Sequence, residues 1–149
     1  RLETPTTARL LAAPPPGQSA AGRPAAPGTV ILATRGAGEA NGDRRAGLER
    51  AGAHVIVTDS LDEGLVALRG LGIRSLLVEG GAGVAGALLE AAVVDRLVIF
   101  QAPIVLGPGA VNAFARAPAS MVATAARLPV VERRALGDDL LTVYALNDP

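Results

Sequence analysis

Apolar residues along the chain fall into short runs that glycine, proline and charged residues separate. Runs that are rich in branched side chains and nearly free of polar residues predict buried strands. The segments between these runs predict helices, and in the longest one Leu61, Leu65, Leu68 and Leu71 share a face. The predicted strands are Thr29–Thr34, Ala53–Thr58, Ile73–Val78 and Asp95–Ala102, the predicted helices are Asp43–Ala51, Leu61–Leu71 and Val84–Ala92, and Arg35–Gly42 is a predicted loop.

The order of these elements indicates the fold class. Nearly apolar strands that alternate with helices favour an α/β fold with a mixed, mostly parallel sheet flanked by helices. Leu128–Ala135 and Leu140–Leu146 predict two further strands joined at Gly137, which form a C-terminal antiparallel hairpin. Ala110–Arg127 matches no single pattern. Residues 14–28 are rich in proline and alanine, which predicts an irregular loop.

Composition narrows the classes of function. The 149 residues include 14 basic and 14 acidic side chains and no cysteine. A neutral chain lacks the positive charge of a nucleic-acid binder and the basic patch that an anionic membrane surface attracts. Its longest apolar stretch is shorter than the ~20 residues of a membrane span. The absence of cysteine excludes disulfides and zinc–thiolate sites and suits a reducing cytoplasm, and no His/Asp spacing suggests a metal.

The segment from Glu79 to Ala87 carries the clearest chemical signal. Glycines at positions 80, 81 and 83 follow a predicted strand and precede a predicted helix. Glycine lets the backbone turn sharply and lets a ligand approach the main chain closely. The start of the helix adds unpaired N–H groups and the positive end of the helix dipole. A phosphate or pyrophosphate is therefore the expected ligand of this loop.

Two interpretations of this loop stay open on its residues alone. Gly81, Gly83 and Gly86 match the G-x-G-x-x-G fingerprint of Rossmann domains. That fingerprint normally follows the first strand of its domain, whereas here it follows the third predicted strand. In addition, no acid ends the next predicted strand to hold a ribose. Glu79 either binds a hydroxyl or amine of a ligand or caps the amides of the glycine turn, because both roles satisfy its carboxylate.

Four blocks of sequence resemble one family. They are Val78-Glu79-Gly80-Gly81, Ala85-Gly86-Ala87-Leu88-Leu89, Val94-Asp95-Arg96-Leu97 and Ala102-Pro103-Ile104-Val105-Leu106-Gly107. In order and spacing they resemble the reductase domain of the bifunctional riboflavin-biosynthesis deaminase/reductase, whose fold is that of dihydrofolate reductase. Looser likenesses at Leu2–Pro5 and Leu136–Leu140 extend the resemblance to most of the chain.

The resemblance implies a reaction and a site. NADPH would reduce the ribose of 5-amino-6-(5-phosphoribosylamino)uracil to its ribityl form without a metal. Glu79 would bind the substrate, Thr34 would contact the adenosine side of NADPH, and the Gly80–Gly81 peptide bond would be cis. Arg35 is expected from its charge to meet the 2′-phosphate, and no catalytic acid or base is assigned. The residues that match the family's phosphate loop are Gly80, Gly81, Ala82, Gly83, Val84, Ala85, Gly86 and Ala87.

The resemblance also implies how much of the family's domain this chain contains and which molecules it binds. The family domain begins with a strand bearing an SLDG-type motif, which this sequence lacks, so we expect 1–149 to be a single reductase domain without its N-terminal part. The expected partners are a pyrimidine ribotide substrate and a second subunit, in the cytoplasm, with no nucleic acid or membrane. Two alternatives remain: a dihydrofolate reductase-like enzyme acting on another substrate, and a non-catalytic nucleotide-binding or dimerisation module.

The other polar residues have simpler interpretations. His54, the sole histidine, lies in a predicted strand and is expected to be a sheet residue rather than a catalyst. Asp95 is expected to tie a turn together, and Asp138 and Asp139 to serve turn chemistry. Three arginines are expected to form a solvated helix face rather than a phosphate clamp: Arg44, Arg45 and Arg50.

Overall fold

The computed structural model describes residues 3–11, 28–115, 125 and 127–147. The chain divides into two compact units, Arg1–Leu76 and Leu77–Pro149. Most of the regular elements have the order that the hydrophobic pattern predicts. They are a 3₁₀ turn at Arg9–Leu11, strands β1 (Thr29–Thr34), β2 (Ala53–Thr58), β3 (Arg96–Gln101), β4 (Val130–Leu136) and β5 (Asp139–Ala145), and helices α1 (Arg35–Glu39), α2 (Gly42–Arg50), α3 (Leu61–Gly70) and α4 (Ala82–Glu90).

The first unit is built on a parallel pair of strands. β1 and β2 run in register from Thr29 opposite Ala53 to Thr34 opposite Thr58, so both strands end at the same edge. The buried core beside them consists of small and branched side chains, which must mesh closely because aromatics are absent from it. Its members are Leu11, Ala33, Leu48, Ala53 and Val55.

Local signals explain where the helices of the first unit begin and end. The Ser60 hydroxyl accepts a hydrogen bond from the Glu63 amide and caps α3, as a serine before an apolar helical run predicts. Gly52 and Gly72 follow α2 and α3 with φ of +101° and +83°, a conformation that favours glycine. A side chain at Gly52 would also meet the Leu11 carbonyl oxygen at 2.7 Å, which makes glycine necessary there.

The second unit contains a three-stranded antiparallel sheet in the order β3–β5–β4. β4 and β5 form the expected C-terminal hairpin, with Leu136 opposite Asp139 and a tight turn at Gly137, whose φ is +65°. Leu141 and Thr142 of the central strand are buried. The predicted α/β fold, with a parallel component and an antiparallel hairpin, is therefore confirmed.

The predicted strand Ile73–Val78 is wrong, because residues 73–81 form neither strand nor helix. A strand needs a neighbour to accept its backbone hydrogen bonds, and no described strand pairs with this segment. Its side chains are correspondingly open to solvent: Leu77 is 84% exposed, and Leu76 and Val78 are about half exposed. The boundary between the two units falls at Leu76–Leu77.

Three local predictions also need correction. The predicted loop Arg35–Gly42 contains the five-residue helix α1. α2 begins at Gly42, one residue before the predicted start at Asp43, and ends at Arg50, one residue before the predicted end at Ala51. α4 begins at Ala82, two residues before the predicted start, because the extended Gly81 lets the helix follow at once.

The predicted loop at 14–28 lies, except for Gly28, outside the described residues, as does most of 116–127.

Candidate cofactor-binding site

The start of α4 is the place where the sequence predicts an anion site. Gly81 precedes the helix in an extended conformation and provides no side-chain cap. Its carbonyl oxygen accepts hydrogen bonds from the amides of Val84 and Ala85, at 3.1 and 3.2 Å. The amides of Ala82 and Gly83 have no acceptor in the described part of the chain. Two unpaired donors therefore lie at the positive end of the helix dipole.

The glycines of this turn differ in their surroundings. A β-carbon added to Gly80 would lie 3.1 Å from Cβ of Val84, so this glycine is needed for close packing within the turn. A β-carbon added to Gly81 or Gly83 would meet no atom of the described residues within 4 Å, apart from the adjacent residues and the local helix backbone. The space beside these two glycines is thus available to a ligand. Gly86, one turn further along α4, is buried and faces the protein instead.

The remaining loop residues complete the first turns of α4. Val84 is about half exposed and packs against Gly80, while Ala85 and Ala87 are half-buried. These side chains are apolar, so what they can offer a phosphate is backbone rather than side-chain donors. The described residues contain no cis peptide bond, so the expected cis bond between Gly80 and Gly81 is wrong. A trans bond at this position carries no energetic penalty of its own.

Glu79 immediately precedes the glycine turn. Its side chain is exposed and makes no hydrogen bond or ion pair with other described residues. The carboxylate therefore does not cap the amides of the glycine turn within the described chain. It is a free acceptor beside the unpaired amides of the turn, although it does not end a buried strand as the sequence suggested.

The segment after β3 returns to the start of α4. The Ala115 amide donates a hydrogen bond to the Ala82 carbonyl oxygen at 2.9 Å. This contact anchors the first turn of α4 through its carbonyl and leaves the Ala82 amide unpaired.

In the first unit, Thr34 and Arg35 lie where β1 ends. Thr34 is exposed, and its hydroxyl makes no capping hydrogen bond to α1. Arg35 is paired with Asp59, the residue after β2: Nε donates to one carboxylate oxygen at 2.5 Å and Nη2 to the other at 2.6 Å. The two side chains are 58% and 51% exposed.

The contact between Arg35 and Asp59 shifts the pKa values of both side chains. The hydrogen bond from Arg35 is the main cause that lowers the pKa of Asp59. Desolvation of the carboxylate opposes this shift, and the charge of Arg35 adds a smaller lowering effect. The hydrogen bond and charge of Asp59, with smaller contributions from Glu39 and Glu63, raise the pKa of Arg35 above its already high value. Both groups are therefore ionised across the physiological range.

Comparisons with known proteins identify the family. The model of the family described as RibD C-terminal domain matches residues 18–142, which is most of the chain and includes both glycine-loop and strand-end residues. The chain belongs to the RibD C-terminal domain family.

Relatives agree with this assignment. The chain is 40% identical over 83 residues to the riboflavin biosynthesis protein RibD of Corynebacterium ammoniagenes, which covers 56% of this chain and 24% of the relative. It resembles the structure of Acinetobacter baumannii RibD with a TM-score of 0.64 and 25% identity, over 78% of this chain and 36% of that one. The chain thus spans about a quarter to a third of these relatives.

A second kind of structural neighbour supports the fold alone. A pyrimidine reductase-like protein from Corynebacterium diphtheriae matches with a TM-score of 0.63 and 22% identity, over 78% of this chain and 49% of that one. The dihydrofolate reductase-like fold expected from the four sequence blocks is confirmed.

The other polar residues considered in the sequence lie in strands and turns. His54 is an exposed residue of β2, opposite Val30. The Asp95 carbonyl accepts the Leu146 amide at 3.0 Å, which ties the start of β3 to the end of β5. Asp138 lies in the hairpin turn and Asp139 begins β5.

The arginines of α2 are engaged with their own surroundings. Arg45 pairs with Glu49 at 2.9 Å, and Arg50 donates to the Ala46 carbonyl at 3.2 Å. Arg44 donates to the Thr4 carbonyl at 3.3 Å.

No group of three or more His, Cys, Asp or Glu side chains converges among the described residues. No helix of that part of the chain is both long and apolar enough to cross a bilayer.

Sequence reasoning missed Asp59 as a partner of Arg35. The signal that would have found it is the equal length of the two parallel strands, since Thr34 lies opposite Thr58 and the next residue of each strand must then be a neighbour.

Proposed function

We propose that this domain reduces the ribose of 5-amino-6-(5-phosphoribosylamino)uracil to the ribityl form with NADPH, in riboflavin biosynthesis. The observation that carries the proposal is the start of α4, where two unpaired amides and two open glycines lie within the segment that matches the RibD C-terminal domain family. The family supports a nicotinamide cofactor in general, and the choice of NADPH is part of the proposal.

The residues of α4 suit a dinucleotide pyrophosphate. The amides of Ala82 and Gly83 would donate to phosphate oxygens, and the lack of side chains at Gly81 and Gly83 would let those oxygens approach. The segment assigned to cofactor binding consists of Gly80, Gly81, Ala82, Gly83, Val84, Ala85, Gly86 and Ala87, in which the buried Gly86 faces the protein. In the first unit, Thr34 and Arg35 are assigned to the adenosine end of the cofactor.

Glu79 is assigned to the substrate. Its free carboxylate would accept hydrogen bonds from hydroxyl or amine groups of the pyrimidine ribotide and so fix its orientation. The bound cofactor supplies the hydride, and the protein binds, orients and excludes water. Positioning alone is able to contribute ~7–11 kcal/mol to lowering a barrier, so a site without an assigned acid or base is chemically adequate.

We also propose that residues 1–149 are one reductase domain that is completed by further strands. The support is the segment 73–78, which has strand-like sequence, exposed apolar side chains and no partner strand among the described residues. Pairing of two subunits in the cytoplasm belongs to the same proposal, with the apolar C-terminal strands as the contact surface.

The reaction is tested with the full-length protein, NADPH and the uracil ribotide. We expect loss of NADPH absorbance that depends on the ribotide and yields the ribityl product. A protein that binds NADPH but leaves the ribotide unchanged, while reducing a dihydrofolate-like pterin, would assign another substrate. A protein that binds the cofactor and reduces neither compound would be a non-catalytic module.

A further inference from the structure

The ends of the two parallel strands bring a cation and an anion together. Thr34 lies opposite Thr58 in the β1–β2 register, so Arg35 and Asp59 follow neighbouring strands at one edge. In open α/β sheets, ligands bind beyond the carboxyl ends of the strands. In Rossmann domains, which are one class of such sheets, an acid holds the 2′-hydroxyl of NAD, whereas a nearby arginine accommodates the 2′-phosphate of NADP. This edge contains both residue types in contact.

The contact leaves Arg35 only partly available to a ligand. Asp59 occupies Nε and Nη2, the two donors along one side of the guanidinium. The remaining nitrogen, Nη1, lies 4.0 Å from a carboxylate oxygen of Glu39. A 2′-phosphate would therefore have to share Arg35 with Asp59 and approach it on the side of Glu39.

Asp59 is held in place by the start of α3. Its amide donates to Oε2 of Glu63 at 2.9 Å, and the Glu63 amide donates to the Ser60 hydroxyl at 3.2 Å. These bonds fix the backbone that presents the Asp59 carboxylate and add a further negative charge near Arg35. Three carboxylates thus act on one guanidinium: Asp59, Glu39 and Glu63.

We propose that Asp59 competes with the cofactor's 2′-phosphate for Arg35 and so limits the preference for NADPH over NADH. The inference rests on the proposed use of a nicotinamide dinucleotide. Asp59 acts in two ways. It withdraws donors and positive charge from a 2′-phosphate, and it offers an acceptor to the 2′-hydroxyl that NADH has in its place.

The test compares the dissociation constants of NADPH and NADH for the full-length protein and its variants. Asp59→Asn retains the size of the side chain but removes its charge. We expect it to tighten NADPH binding about two- to fivefold, the scale of an exposed charge pair, and to weaken NADH binding. Glu49→Gln is the matched control, because it removes the same charge from the Arg45–Glu49 pair, and we expect an unchanged NADPH-to-NADH ratio.

A second arm separates competition for Arg35 from a structural effect. In an Arg35→Ala background, Asp59→Asn should no longer tighten NADPH binding, because the competition has been removed. An unchanged ratio in Asp59→Asn, or the same gain without Arg35, overturns the inference and leaves the proposed function intact. Failure of the unaltered protein to bind either dinucleotide overturns both.

Discussion

The backbone amide of Ala115 donates a hydrogen bond to the carbonyl oxygen of Ala82 across 2.9 Å. Ala82 is the first residue of α4, and its own amide is one of the two unpaired donors at the candidate phosphate site. The first turn of the helix is thus anchored on its carbonyl side while its amide side stays open.

Removal of this anchor should weaken the fold of the second unit. Ala115→Pro lacks the donor, and we expect the free energy of unfolding to fall by about 0.5–1.5 kcal/mol, the net value of one hydrogen bond. Urea denaturation measures the change. Ala115→Gly, which retains the N–H group, is the control and should lose less. Equal losses in the two variants would show that the hydrogen bond contributes nothing.

Side chains at the open glycines should block the cofactor without disturbing the fold. A methyl group at Gly81 or Gly83 would not crowd any described residue beyond its immediate neighbours and local helix backbone, so Gly81→Ala and Gly83→Ala should retain their thermal stability. We expect NADPH binding to weaken at least about tenfold, equivalent to about 1.4 kcal/mol, because the methyl group occupies the approach of the phosphate. Titration of NADPH into each variant measures this.

Gly70→Ala is the matched control for these variants. Gly70 ends α3, and a β-carbon there would likewise crowd none of the residues that the structure describes, its immediate neighbours and local helix backbone aside. NADPH affinity should be unchanged in this variant. Unchanged affinity in Gly81→Ala and Gly83→Ala as well would place the cofactor phosphates elsewhere.

Loss of the Glu79 charge should affect the substrate and not the cofactor. Glu79→Gln weakens an acceptor that is free in the structure, and a hydrogen bond to a charged group is worth about 1.5–3 kcal/mol. We expect the KM for the pyrimidine ribotide to rise at least tenfold while the Kd for NADPH stays the same. Glu132→Gln, an exposed change on β4, is the control. Full activity and substrate affinity in Glu79→Gln would remove Glu79 from the site.

The Arg35–Asp59 pair should respond to acid. The pKa of Asp59 in the folded protein lies below its ordinary value. The contribution of the pair to the stability of the fold is therefore complete above the pKa of Asp59 in the unfolded chain, and it is lost as the pH falls through the pKa in the folded protein. The charged groups that act on this pair are Glu39 and Glu63. The loss therefore occurs below about pH 4, the ordinary pKa of aspartate.

An NMR titration of the Asp59 carboxyl carbon measures this pKa directly. We expect its midpoint below about 3.9, and we expect the midpoint to move upward in Arg35→Gln, which removes the opposing charge. A midpoint that does not respond to the loss of Arg35 would contradict the pairing.

Local signals in the sequence were sufficient for much of the fold. The branched run Ala53–Thr58 forms β2 with the predicted bounds, Ser60 caps the start of α3, and Gly137 turns the C-terminal hairpin. Each of these outcomes depends on residues close together in the chain. The family assignment likewise depended on contiguous blocks, of which Val78–Gly81 is the most distinctive.

Features that depend on distant residues were not predictable in this way. The run at 73–78 has the composition of a buried strand, but a strand forms only against a neighbour, and composition does not report whether one is present. Arg35 was expected from its charge to lie near the cofactor, but its pairing with Asp59 follows from the register of two strands. The trans bond at Gly80–Gly81 is a further departure, because the cis form was expected from resemblance alone.

The most direct measurement is the structure of the full-length protein with NADPH bound. The account predicts that pyrophosphate oxygens lie within hydrogen-bonding distance, about 2.7–3.2 Å, of the amide nitrogens of Ala82 and Gly83. A cofactor whose pyrophosphate lies away from the start of α4, with those two amides still exposed to water, would contradict it.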